Sequence, residues 1–232
     1  MKTEKTLLVF KFDGILINTV ELYVKKVWQV LTQLSPSLVD SIDEKKEEAV
    51  DVIIIKNWEK NAHSLATLIC QEIKAIPYTA SLAKELASLD RSSAGNYRLN
   101  EVFSTVKKLK NADFQIGLFT KRDKSDLDYI AKLVNLDLKL FDYLLTSDCL
   151  PGDHNQKFSS LSDWAEYMKL KVIFFGNTKE DILLNGDSIH LVIMLEGIPD
   201  SEIIEPGGLI RYLNDNFLKD REFSPATALK VD

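Results

Sequence analysis

Two rhythms of apolar positions divide this chain. Leu7 to Phe12 is a short apolar run, broken only by Lys11, and it closes at Asp13-Gly14, the pattern of a strand ended by a turn. From Val20 to Leu34 the apolar residues Leu22, Val27, Val30, Leu31 and Leu34 recur near helical spacing, and Ser35-Pro36-Ser37 ends that helix. The stretch from about Val39 to Leu89 is almost free of Gly and Pro and reads as several amphipathic helices. Leu65, Leu68 and Ile69 mark their apolar face, and the charged run Asp43 to Glu48 is a solvated one. Asp90 to Asn96 is a polar break suited to a hinge.

Beyond the break the rhythm changes to regular alternation. Helices are expected at Glu101–Lys110, Lys124–Leu133, Phe158–Met168, Lys179–Leu184 and Gly207–Phe217, and strands at Gln115–Thr120, Tyr143–Thr146, Val172–Phe175 and His190–Leu195. Apolar strands alternating with helices imply a parallel sheet covered on both faces, and right-handed crossovers make it doubly wound. In such sheets ligands bind beyond the carboxyl ends of the strands. Chemistry is therefore sought at Lys11–Asp13, Thr120–Arg122, Thr146–Asp148 and Gly176–Asp181. The expected organisation is an α/β core over 1–19 and 97–232, with a helical cap inserted over 20–96.

Composition narrows the classes. The chain has 232 residues, 45% of them apolar and 28% charged, which suits one α/β domain with an insertion. A net charge of −6 argues against a nucleic-acid surface but allows a local pocket for a small anion. The two cysteines, Cys70 and Cys149, lie far apart and read as free thiols in a reducing compartment. His63, His154 and His190 are scattered, which disfavours a histidine metal site. Thr6 to Phe10 is too short for a signal peptide or a membrane span, so a cytoplasmic protein without membrane contact is expected.

The strand ends also carry a family pattern. Val9–Thr19, VFKFDGILINT, resembles the first motif of the haloacid dehalogenase-like phosphatases, Asp-x-Asp-Gly-Thr-Leu after an apolar strand. Ile116–Asp123, IGLFTKRD, resembles the second motif, a strand ending in Thr or Ser. Lys157 stands where the third motif places a lysine, and Val172–Ile182, VIFFGNTKEDI, resembles the fourth, Gly-Asp-x-x-x-Asp. The motifs occur in family order, and the helical insert resembles the cap of the phosphoglycolate phosphatase and β-phosphoglucomutase branch.

The resemblance implies a mechanism. The first aspartate of the family attacks phosphorus, and the second serves as general acid and base. The Thr and the lysine bind phosphoryl oxygens, and Mg²⁺ is held by the nucleophile, a backbone carbonyl and a fourth-motif aspartate. Carried onto this chain, Asp13 matches the acid/base, Gly14 the glycine, Thr120 the hydroxyl, Lys157 the lysine and Asp181 the second fourth-motif aspartate. Three positions depart: Lys11 replaces the nucleophile, Ile15 the usual Thr, and Asn177 the first fourth-motif aspartate.

An ammonium has donors only and cannot ligate a metal or form an acyl-phosphate. Asn177 lacks the charge that a hard cation prefers. No cofactor is therefore expected and Mg²⁺ binding should be weak or absent, with Asp13 and Asp181 its only side-chain candidates. The expected function is a catalytically impaired pseudo-phosphatase that binds a small phosphorylated molecule or inorganic anion through Lys11, Thr120, Lys121, Lys157 and Asn177. Lys11 would face Asp13 and Asp181, with Lys157 nearby, and supply the charge of the missing metal; it could instead merely fill the vacated space and pair with Asp13, or take a new catalytic role. Asp13 could be a retained acid/base or a turn residue, Thr120 a helix cap, and Lys121-Arg122 either a pair of cations that attracts anions or solvated surface. An active phosphomonoester hydrolase with a rearranged site and a protein-interaction role through the cap remain the alternatives.

Overall fold

The computed structural model describes residues 5–57, 60–88, 96–148, 161–177, 189–193, 202–203 and 208–219. Lys157, Asp181, Cys149 and His154, and the helix expected at Lys179–Leu184, lie outside them.

Among the described residues six strands form one parallel sheet: β1 (Lys5–Lys11), β2 (Gln115–Phe119), β3 (Tyr143–Leu145), β4 (Leu170–Gly176), β5 (Ile189–Ile193) and the short β6 (Glu202–Ile203). Their spatial order is β3-β2-β1-β4-β5-β6. The chain steps from β1 through β2 to β3, then returns to the other side of β1 with β4. The strand order thus reverses at β1, and that is where a doubly wound sheet opens its crevice. The register pairs Lys11 with Phe119 on one flank and Phe10 with Phe175 on the other.

The central strand is buried on both faces, as its unbroken apolar run requires. Leu7 and Val9 pack on one side with Val172, Phe174 and the helix Leu161–Met168, whose Trp164 is fully buried. Leu8, Phe10 and Phe12 pack on the other with Val106 and Leu109, Leu127 and Ile130, and Leu209 and Leu213. Those side chains belong to the helices Val102–Asn111, Lys124–Leu133 and Gly208–Leu213. Phe10 and Phe175 stack at 4.7 Å between centroids.

The helices α1 (Thr19–Leu34), α2 (Pro36–Val39), α3 (Glu44–Asn57), α4 (Ala62–Glu72) and α5 (Thr79–Ala87) follow β1 before the second strand. They bury an apolar cluster of their own, centred on Val27, Leu31, Ile54, Leu65, Ile69 and Leu82. Trp28 Nε1 donates to Asp51 Oδ1 at 2.9 Å, joining α1 to α3. No described helix is long and apolar enough to cross a membrane.

One ion pair fixes the β2–β3 edge. Asp142 accepts from Lys110 Nζ at 2.6 and 2.7 Å and from the Ile116 amide at 2.8 Å. Burial pushes its carboxyl up, but the Lys110 ammonium and the Ile116 amide outweigh that and hold it below the usual carboxylate range. A lowered folded-state value means that the contribution is complete above the ordinary carboxylate range and is lost as pH falls through the lowered one. Asp142→Asn is expected to cost about 1–2 kcal/mol at neutral pH and to flatten the acid limb of the stability profile, read from urea midpoints.

Candidate functional site

Past Lys11 the chain turns tightly across the end of the sheet. The Leu16 and Ile17 amides both donate to the Phe12 carbonyl at 3.0 Å, and the Gly14 amide donates to the Ile17 carbonyl at 3.0 Å. Gly14 has φ +81°, the left-handed region that glycine adopts without steric cost. A Cβ there would stand 1.9 Å from Asn177 Nδ2, so the glycine also lets the end of β4 approach this turn. The linker returning to the core clamps the turn from outside. The Asn100 amide donates to the Leu16 carbonyl at 2.8 Å, its Nδ2 donates to the Ile15 carbonyl at 3.0 Å, and the Arg98 amide donates to Asn18 Oδ1 at 2.9 Å.

This turn delivers Asp13 into a cradle of donors, where its residue exposure is only 6%. Its Oδ1 accepts from Arg122 Nη2 at 2.8 Å, Arg122 Nε at 3.0 Å and Thr19 Oγ1 at 2.9 Å. Its Oδ2 accepts from Arg122 Nε at 3.1 Å and Thr120 Oγ1 at 3.2 Å. Two stretches of chain supply these donors: Thr19 opens α1, while Thr120 follows β2 and Arg122 lies two residues further on. The Phe12 amide donates to the Phe119 carbonyl at 2.7 Å, the Thr120 amide to the Leu145 carbonyl at 2.9 Å, and the Ser147 amide to the Arg122 carbonyl at 3.0 Å. The cradle is therefore built on fixed backbone.

Lys11 ends β1 at 2% exposure, among the largest buried side chains of the described residues. Strand alternation sets it on the face of Leu7 and Val9. Asn177, 7% exposed, follows β4 with its amide against Gly14. The strand ends thus bring Lys11, Asp13, Thr120 and Asn177 to the carboxyl end of the sheet, as expected from the alternation.

Arg122 pairs with Asp13, although the sequence pattern alone suggests a solvated position for it. Its neighbour Lys121 is exposed. Thr120 does not cap the following helix. Asp123 does, accepting from the Asp126 amide at 2.8 Å, and that amide together with the Ser125 hydroxyl holds its carboxyl below the usual range. Asp148 accepts from the Lys124 amide at 3.1 Å and from the Thr146 hydroxyl at 2.7 Å, so it caps rather than faces the cradle. Thr19, and the pairing of Arg122 with Asp13, were not assigned from the sequence. A signal for Arg122 did exist: a carboxylate at a buried strand end needs a counter-charge, and arginine suits two-point pairing.

A concavity of about 270 Å³ lies beside the linker, lined by Asn18, Glu21, Lys25, Lys26, Asn96 and Arg98 among others. Glu21 bridges Lys25 and Arg98 across it.

The described residues do not fit a divalent cation. Lys11 offers only donors, both oxygens of Asp13 are taken by Arg122 and the two hydroxyls, and Asn177 is neutral. No group of three metal-ligating side chains occurs among them.

The family model for haloacid dehalogenase-like hydrolases matches residues 8–185. No curated protein matches the sequence. Solved structures of similar fold include a candidate β-phosphoglucomutase from Thermotoga maritima, 13% identical, covering 91% of this chain and 99% of its own, at a TM-score of 0.54. A candidate phosphoglycolate phosphatase from Lactobacillus delbrueckii is 9% identical, covers 92% and 98%, and scores 0.58. A candidate phosphoglycolate phosphatase from Haemophilus somnus is 16% identical, covers 85% and 88%, and scores 0.52. At these identities the likeness is one of fold.

Proposed function

This chain belongs to the haloacid dehalogenase-like hydrolase family, and from that membership we propose that it is a catalytically impaired phosphatase relative that binds a small phosphorylated molecule or inorganic anion without hydrolysing it. The observation that carries the reading is the buried Lys11 at the position where the family's attacking carboxylate would stand. A lysine there has no carboxylate oxygen to form an acyl-phosphate, and its charge opposes a second cation.

Asp13 supports the same reading. A general acid or base must reach the proton it moves. Asp13 instead has both carboxylate oxygens engaged by Arg122 and two hydroxyls. Charge favours an anionic ligand. Lys11, Lys121 and Arg122 are basic residues at the strand ends, while Asp123 and Asp148 accept from amides of the helix Lys124–Leu133. The structural neighbours named as a phosphoglycolate phosphatase and a β-phosphoglucomutase suggest a small phosphorylated metabolite as the ligand class.

The test is turnover of p-nitrophenyl phosphate with Mg²⁺. The native chain is expected to release p-nitrophenol no faster than buffer. Magnesium-dependent turnover that disappears in Asp13→Asn would instead establish an active hydrolase with a rearranged site.

A further inference from the structure

We propose, resting on the anion-binding reading above, that Thr19, Thr120 and Arg122 form an oxyanion site whose built-in competitor is the carboxylate of Asp13. The site is already assembled around an anion. Arg122 presents Nε and Nη2 to one carboxylate at 2.8–3.1 Å, and the hydroxyls of Thr19 and Thr120 complete the shell at 2.9 and 3.2 Å. A guanidinium reads carboxylate and phosphate with the same two-point fork, so the donors that hold Asp13 are the donors an incoming phosphoryl group requires.

The hydrogen accounting makes the two occupants exclusive. A threonine hydroxyl has a single proton to give. Thr120 gives its proton to Asp13 Oδ2 and accepts from the Arg122 amide at 3.1 Å, and Thr19 gives its proton to Asp13 Oδ1. While Asp13 stays, neither hydroxyl can donate to a ligand. The like charge of the carboxylate also repels an anion from the fork. The Arg122 side chain is 13% exposed and that of Asp13 is 9%, so both charges feel each other with little screening by water. An external oxyanion therefore binds with the affinity of the empty cradle reduced by the fraction of time Asp13 is out of it.

The experiment titrates inorganic phosphate into the full chain at ionic strength held constant with sodium chloride. Asp13→Asn keeps the shape and removes the competing charge, and it should bind phosphate at least tenfold more tightly than the native chain. Asp13→Asn combined with Arg122→Gln should lose that gain. If the native chain binds phosphate and Asp13→Asn binds it no more tightly, the competitor is refuted while the anion-binding reading stands. Binding by Asp13→Asn alone supports the competitor and counts against a ligand-binding native chain. If neither binds, both fall. Because Asp13→Asn removes the carboxylate that pairs with Arg122 and could fail to fold, a second measurement uses the native protein. The Arg122 Nε–H resonance, assigned by its loss in Arg122→Lys, should move to saturation with phosphate and stay still with chloride. A resonance unmoved at phosphate saturation overturns the proposal.

Discussion

Arg122→Met should lower the stability of the folded chain by about 3–5 kcal/mol, the usual cost of removing one partner from a buried ion pair. The Asp13 side chain is only 9% exposed, so water replaces the guanidinium poorly and the substitution leaves a carboxylate with two hydroxyl donors. Most of that loss should return in Arg122→Met/Asp13→Asn, because the double variant no longer buries an isolated charge. A neighbouring change, Lys121→Met, should move the urea midpoint by no more than about 0.5 kcal/mol, since Lys121 is exposed. Urea titrations of the three variants check the set. A cost for Arg122→Met as small as that for Lys121→Met would mean that the pair does not hold the strand ends together.

Gly14→Ala should cost about 2–4 kcal/mol, from two separable sources. An L-residue at φ +81° is disfavoured by about 1–2 kcal/mol. The remainder is steric, because the added Cβ would overlap Asn177 Nδ2 at 1.9 Å and crowd a methyl of Val20 at 2.9 Å. Asn177→Ala removes the first obstruction and leaves the backbone penalty. Gly14→Ala/Asn177→Ala should therefore be more stable than the sum of the single losses predicts, by about 1 kcal/mol or more. Simple additivity would contradict a close approach between the first turn and the end of β4.

The sequence carried the fold because each element obeyed its own period. The unbroken run at Leu7–Phe10 and the alternation after Asn96 are what a two-sided parallel sheet requires, and the helix expected at Lys124–Leu133 is the helix observed. The two-residue strand Glu202–Ile203 was not legible, being too short to show a period. The site was legible only in part. Lys11, Asp13, Thr120 and Asn177 announce themselves by following strands, but the direction of a long side chain has no sequence period. Lys121-Arg122 looks the same whether its members face water or the sheet end. Burial of Asp13 decides the matter, and burial follows from the clamp that Asn18 and Asn100 place on the turn across some eighty residues of intervening chain. Arg122 was missed for that reason.

The role of Lys11 sets the rest of the reading, and magnesium titration calorimetry of the native chain meets it head-on. A strand end carrying a buried ammonium, a carboxylate already neutralised by Arg122 and a neutral amide should give no heat of binding through millimolar Mg²⁺, while Lys11→Asp/Asn177→Asp should gain a site. Saturable binding of Mg²⁺ by the native chain at micromolar concentration would contradict it.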